Sequence, residues 1–227
     1  MAKPTPKRPK QKQIFIVDDH PVFREGLVML VNRETDLAVC GEADNAVQAL
    51  AAIEQLKPDL VLADIGLPGR SGLELIKDLR ATLPEIAALV ISMHDETLYA
   101  ERVLRAGGRG YIMKQEGPEK ILQALRRVLD GQVSVSGKIS GRILDGLSTP
   151  RTKSDSPIAR LSDREFEILQ LIGRGKDSHA IAGELHLSVK TVDAHRGNIK
   201  EKLELATGTE LICFAARWVE AQSLGAA

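Results

Sequence analysis

Five short apolar runs alternate with five helix-periodic segments between residues 13 and 130, and that alternation constrains the fold class. The runs lie near 14–17, 37–40, 60–63, 87–92 and 110–113, and the periodic segments near 21–33, 45–56, 72–83, 97–106 and 118–129. The runs are strand-length and rich in Val, Ile and Leu, as strands buried on both faces must be. Breakers agree with the boundaries. Pro21 and Pro118 suit first helical turns, Asn45 suits an N-cap, and Gly107-Gly108 stops a helix. Five strand-helix units in series predict an α/β fold: a parallel sheet with helices on both faces. In such sheets a site forms at the carboxyl ends of the strands, near the point where strand order switches.

Polar residues gather at those ends. Ile14-Phe15-Ile16-Val17 runs into Asp18-Asp19, and Val61-Leu62-Ala63 runs into Asp64, with a Gly/Pro turn directly after it. Leu89-Val90-Ile91 ends in Ser92, and Gly110-Tyr111-Ile112-Met113 in Lys114. Three carboxylates at neighbouring strand ends repel one another unless a cation sits among them, and hard oxygen donors suit Mg2+. Charge logic then assigns roles around a phosphoryl group. Asp64 is the nucleophile, Asp18 and Asp19 hold the metal with Asp64, and the Gly66 carbonyl is a further ligand. Ser92 and Lys114 bind phosphoryl oxygens.

Composition narrows the class. With 43% hydrophobic and 3% aromatic residues, the cores must rest on Leu, Ile, Val and Ala. The two cysteines, Cys40 and Cys213, stand far apart in apolar surroundings and are expected as buried free thiols. No apolar run approaches a membrane span, and the basic N-terminus lacks a signal peptide's apolar segment. A soluble, cytoplasmic protein with no membrane association is expected. The formal net charge of zero hides an asymmetry: residues 1–12 carry five Lys/Arg and no acid, leaving a net of −5 on the rest. This tail is expected to be disordered and solvated.

The pattern changes after 130. Residues 131–136 read as a short extended piece and 137–147 as a helix with Ile139, Ile143 and Leu147 on one face. A polar linker with two prolines, 148–157, follows, so 131–160 is expected as short helix plus linker. From 161 to 227 the pattern is helical. Ser162-Asp163-Arg164-Glu165 is a capping box before Phe166, Leu169 and Ile172, and Thr207-Gly208-Thr209-Glu210 is a second. Between them lie a short helix near 178–185 and another near 189–203, capped by Ser188.

These residues carry a resemblance. Val17-Asp18-Asp19-His20, the stretch from Asp64 to Gly72, Ser92-Met93-His94-Asp95 and Gly110-Tyr111-Ile112-Met113-Lys114 resemble a response-regulator receiver domain. Leu161-Ser162-Asp163-Arg164-Glu165 and Leu187–His195 resemble the LuxR-type helix-turn-helix of the NarL/FixJ subfamily. The resemblance implies a flavodoxin-like, five-stranded receiver at 13–130 and a DNA-binding domain at 161–227. It implies a transcriptional response regulator, not an enzyme in the turnover sense, in which a sensor histidine kinase phosphorylates Asp64 with Mg2+ as cofactor. Ser92 and Tyr111 would be the switch pair, with Tyr111 swinging inward; the alternative for Tyr111 is a half-buried strand aromatic. Leu211, Ala215 and Trp218 would form a homodimer surface, and the alternative there is packing within the module.

On a helical wheel over 189–203, Val192, Ile199 and Leu203 share the core side. The opposite side carries Lys190, Ala194 and Gly197 with Asp193 at its margin, flanked by Thr191 and Lys200. That side is the expected face for double-stranded DNA. Asp193 either accepts from a cytosine amino group or faces solvent. Residues 160–227 hold nine Lys/Arg and ten Asp/Glu, so affinity must come from local clustering and from two half-sites. A Mg2+-dependent phosphohydrolase with an aspartyl-phosphate intermediate is the enzymatic rival. Such sites place an acid two residues after the nucleophile, where this chain has Gly66.

Overall fold

The computed structural model describes residues 11–148 and 157–224. Most of the basic tail and the centre of the linker lie outside these residues. Contacts divide the chain into two compact units, with the boundary between Ile143 and Leu144.

The first unit contains β1 (Lys12–Val17), α1 (Pro21–Asn32), β2 (Leu37–Ala43), α2 (Ala46–Leu56), β3 (Leu60–Ala63), α3 (Gly72–Thr82), β4 (Ala87–Ser92), α4 (Glu96–Ala106), β5 (Gly110–Met113) and α5 (Pro118–Leu129). The strands form one parallel sheet in the order β2-β1-β3-β4-β5. β1 therefore lies between β2 and β3, and the order reverses there: this is the switch point. Alternation along β1 sorts the core into two layers. Ile14 and Ile16 join α1 and α5 through Leu27, Val31, Ile121 and Leu125; Phe15 and Val17 join α2 and α3 through Ala49, Ile53, Leu75 and Leu79. All four residues of β3 are fully buried, each large side chain contributing about 1.5–3 kcal/mol.

Local chemistry sets the ends. Asn45 accepts from the Gln48 N–H at 2.9 Å to cap α2, and Ser71 and Glu74 form a capping box on α3. α4 stops at Gly107, whose φ of +106° only glycine adopts readily. β2 runs three residues beyond the apolar run, because Gly41, Glu42 and Ala43 keep pairing with β1 as far as Val17. Gly41 is required there: a Cβ would lie 2.6 Å from the Phe15 ring.

After α5 the extended piece adds to the edge of the sheet. Ser134 N–H donates to Arg109 O, and Tyr111 N–H donates to Ser134 O at 2.8 Å. Helix α6 (Gly137–Ser148) follows, with Ile139 buried, Ser136 N–H donating to Glu96 Oε1 at 2.7 Å, and Arg142 donating to Thr97 O at 3.2 Å. The side chain of Leu147 lies outside the described residues.

Past the undescribed linker residues the second unit has a short 3-10 turn at Pro157–Arg160, where linker was expected; Ile158 is buried in it. Helices α7 (Asp163–Gly173), α8 (Ser178–Glu184), α9 (Val189–Lys202) and α10 (Gly208–Leu224) follow. The Ser162/Glu165 capping box forms as expected. At the second, Thr207 caps Glu210 N–H at 3.1 Å, but the Glu210 carboxylate turns back to Ala206 N–H instead. Phe166 of α7 meets Trp218 of α10 edge-on at 5.4 Å. Gly173 lets the two helices close, since a Cβ there would lie 2.5 Å from Ala215 O. Among the described residues no helix is long and apolar enough to cross a membrane.

Candidate functional site

Strand register assembles the site. Val17 pairs with Ala63, so the residues that follow, Asp18 and Asp64, emerge side by side at the switch point. Ser92 pairs with Met113, and the Lys114 N–H donates to Ser92 O at 2.9 Å, which fixes Lys114 beside β4. The Lys114 ammonium then reaches across the sheet. It sits 2.6 Å from Asp18 Oδ2 and 2.7 Å from Asp64 Oδ2. The Asp18 side chain is 0% exposed and the Lys114 side chain 4%, so these charges interact with little screening. The Phe23 ring centroid lies 4.6 Å from the ammonium, a cation–π contact.

Each carboxylate is also held locally. Asp18 Oδ1 accepts from the His20 N–H at 2.9 Å, and Arg24 donates to the Asp18 carbonyl. The His20 ring lies 2.8 Å from Asp19 Oδ1. Asp64 Oδ1 accepts from the Gly66 N–H at 3.3 Å. Burial holds the Asp18 carboxyl above the usual carboxylate range; Lys114 works against that shift and the neighbouring Asp64 charge works with it. Donor atoms of Asp18, Asp19, His20 and Asp64 all fall within 4.8 Å of one another. Three of the four are carboxylates, the donor type that a hard divalent cation selects, so the residues present fit a metal of that class.

The expected partners surround this centre. Ser92 is 1% exposed, and its hydroxyl faces the His94 N–H at 3.5 Å. Tyr111 is already inward, 3% exposed, with its hydroxyl donating to His94 O at 2.6 Å. Burial pushes that hydroxyl's pKa up, so it remains a neutral donor. Gly66 leaves open space: a Cβ there would come no nearer than 3.9 Å to Asp64 Oδ2.

Gly72 and Phe23 carry no charge and do not stand out in the sequence, yet both shape the site. A Cβ on Gly72 would lie 1.9 Å from the Asp64 carbonyl oxygen, so the start of α3 lies directly against the Asp64 backbone. The Gly72 N–H also donates to Ile65 O at 2.9 Å. The sequence signal for Gly72 is its place one residue after the α3 cap, Ser71.

On α9, Val192 and Ile199 are fully buried and Leu203 nearly so, as the wheel requires. Lys190, Thr191, Asp193, Ala194 and Gly197 are exposed, and Lys200 is half-buried. Of the residues expected on a dimer surface of α10, Leu211 and Ala215 are covered within the module, and Trp218 is half-buried. Leu211 and Ala215 are 0% exposed and Trp218 packs on Phe166, so these residues hold the module together. The periodicity of an amphipathic helix does not say whose apolar surface covers it. The outer side of α10 carries Ile212, 47% exposed, and Cys213, which is exposed instead of buried; both cysteines are free.

Comparisons with known proteins agree with this geometry. Residues 14–126 match the response regulator receiver domain, and residues 159–215 match the bacterial regulatory proteins of the luxR family. The oxygen regulatory protein NreC of Staphylococcus aureus is 36% identical over 210 residues, which cover 90% of this chain and 97% of NreC. The crystal structure of a LuxR-family two-component response regulator from Aurantimonas sp. SI85-9A1 is 31% identical. It superposes with a TM-score of 0.57 over 62% of this chain and all of the other. The RcsB response regulator of Salmonella typhimurium shares the fold, with a TM-score of 0.63 at 24% identity over 92% of this chain and 98% of its own. The chain thus belongs to the two-component response regulators that join a receiver domain to a luxR-type DNA-binding domain.

Proposed function

We propose that Asp64 is the phosphoacceptor and that its phosphorylation controls DNA binding through α9. The observation that carries this reading is the buried trio of Asp18, Lys114 and Asp64 at the switch point. Lys114 lies 2.7 Å from Asp64 Oδ2 and gives a phosphoryl oxygen a cation to meet. An Asp64 carboxylate oxygen bonds to phosphorus as the phosphorus–nitrogen bond of a kinase phosphohistidine breaks. Ser92 donates its hydroxyl to one phosphoryl oxygen. Mg2+, held by Asp18, Asp19, Asp64 and the Gly66 carbonyl, would neutralise charge on the phosphoryl oxygens. Tyr111 closes the pocket beside Ser92 and links it to the α4 end through His94. The added charge of one to two units biases this face between two arrangements.

DNA is met by Lys190 and Thr191 at the start of α9, with Ala194 and Gly197 admitting the backbone close to the groove and Lys200 flanking it. RcsB, which shares this fold, is described bound to DNA as dimers. For this chain, a homodimer on two half-sites would supply the affinity that a module with little net charge lacks. The setting is the cytoplasm, and no catalytic turnover is assigned. The test is labelling by a sensor kinase or a small acyl phosphate with Mg2+. Asp64→Asn is expected to abolish labelling, and label persisting at normal stoichiometry sinks the assignment. In parallel, size and DNA affinity of the labelled chain are expected to rise.

A further inference from the structure

Helices α8 and α9 meet at three points. The turn Leu185–Ser188 joins them covalently, with His186 in the left-handed region at φ +52° and Ser188 capping α9 by accepting from Thr191 N–H. In the middle, Ile181 and Ala182 of α8 and Val192 of α9 are all buried. At the far end, the Ser178 hydroxyl donates to Asp193 Oδ1 at 2.7 Å. Ser178 is free for this contact because Asp177 takes the capping role, accepting from Ala180 N–H at 2.8 Å.

A carboxylate beside the exposed face of α9 repels a phosphate backbone. Such a carboxylate accepts from a base, faces solvent or holds a neighbour in place, and Asp193 has a neighbour to hold. Asp193 Oδ1 already accepts from a hydroxyl, and that partner sits on the neighbouring helix, fifteen residues away in sequence. The turn and the apolar patch join the two helices at one end and in the middle, with α7 packed against both; the Ser178–Asp193 contact ties the far end. We propose that Asp193 is a positioning residue: through Ser178 it fixes the orientation in which α9 presents Lys190, Ala194 and Gly197 to DNA, and it does not read a base. This rests on the reading of α9 as the DNA-contacting helix.

A hydroxyl needs an acceptor, not a charge. Asp193→Asn keeps the acceptor and sheds the repulsion, whereas Asp193→Ala and Ser178→Ala both break the contact. The full chain, labelled by acyl phosphate with Mg2+, is offered duplexes with a randomised central segment. Asp193→Asn is expected to select the same sequences as the wild type. Ser178→Ala and Asp193→Ala each lose about fivefold in affinity for the selected duplex, and the double variant loses no more than either. If Asp193→Asn changes the preferred base pair at one position of each half-site while Ser178→Ala does not, Asp193 reads a base and the proposal falls. A second readout needs no DNA. The thermal midpoints of the same variants are expected to be non-additive, and strict additivity overturns the contact. If Lys190→Ala binds the selected duplex as the wild type does, the DNA-face reading fails instead, and the thermal cycle still decides the contact.

Discussion

The two units place the residues proposed to act in opposite environments. In the receiver the working charges are buried: Asp18 is 0% exposed and Asp64 4%. On α9 the working residues, from Lys190 to Gly197, lie mostly at the surface. A buried charge must be answered by partners at fixed distances, so the fold and the site are one construction. An exposed face answers mainly to what docks on it, and the fold beneath depends on it only at contacts such as Ser178–Asp193. Substitutions in the first unit should therefore disturb stability and chemistry together, whereas those on the exposed face of α9, Asp193 apart, should change binding alone.

Four substitutions test that contrast, in decreasing order of expected effect. Gly72→Ala forces a carbon to 1.9 Å from Asp64 O. It should cost the receiver at least about 3 kcal/mol in urea unfolding and lower labelling as well. Trp218→Ala removes the partner of Phe166 and should destabilise the helical module by about 2–3 kcal/mol. An unchanged unfolding curve with a weakened dimer would restore the dimer reading of this residue.

Asp18→Asn should raise the thermal midpoint at pH 7 while impairing Mg2+-dependent labelling. The sign follows from burial. The folded carboxyl titrates above its unfolded value, so its charged form costs stability as pH rises through the folded pKa. The gain from Asn should shrink as pH falls towards the unfolded value, where the wild-type carboxyl is protonated in both states. A gain independent of pH would point away from this carboxyl. Lys190→Ala should leave stability and labelling unchanged, weaken DNA binding, and lower the salt dependence by about one ion. A drop in thermal midpoint would show that α9's surface is not separable from its fold.

Most of the receiver was legible because strand ends are where apolar runs stop. Asp18, Asp64, Ser92 and Lys114 follow such runs directly, and parallel register does the rest. Gly72 and Phe23 were not legible, since each acts through space that another residue fills. Burial on α10 was misread for a related reason. Leu211, Ala215 and Trp218 announce an apolar side, but only Gly173 and Phe166 across from them show that the module covers it. The Ser178–Asp193 contact joins residues with no shared periodicity and leaves no trace in either helix's pattern.

Of the glycines that follow Asp64, Gly66 in the loop and Gly72 at the start of α3 have different futures under sequence drift. At Gly66 a side chain has room and would lean over the carboxylate, between Asp64 and His94. Variation there can retune the pocket without undoing the fold. At Gly72 there is no room for even a methyl group. Of these two positions, Gly66 leaves the chemistry of the pocket open to change by substitution, while Gly72, six residues on, is closed to it.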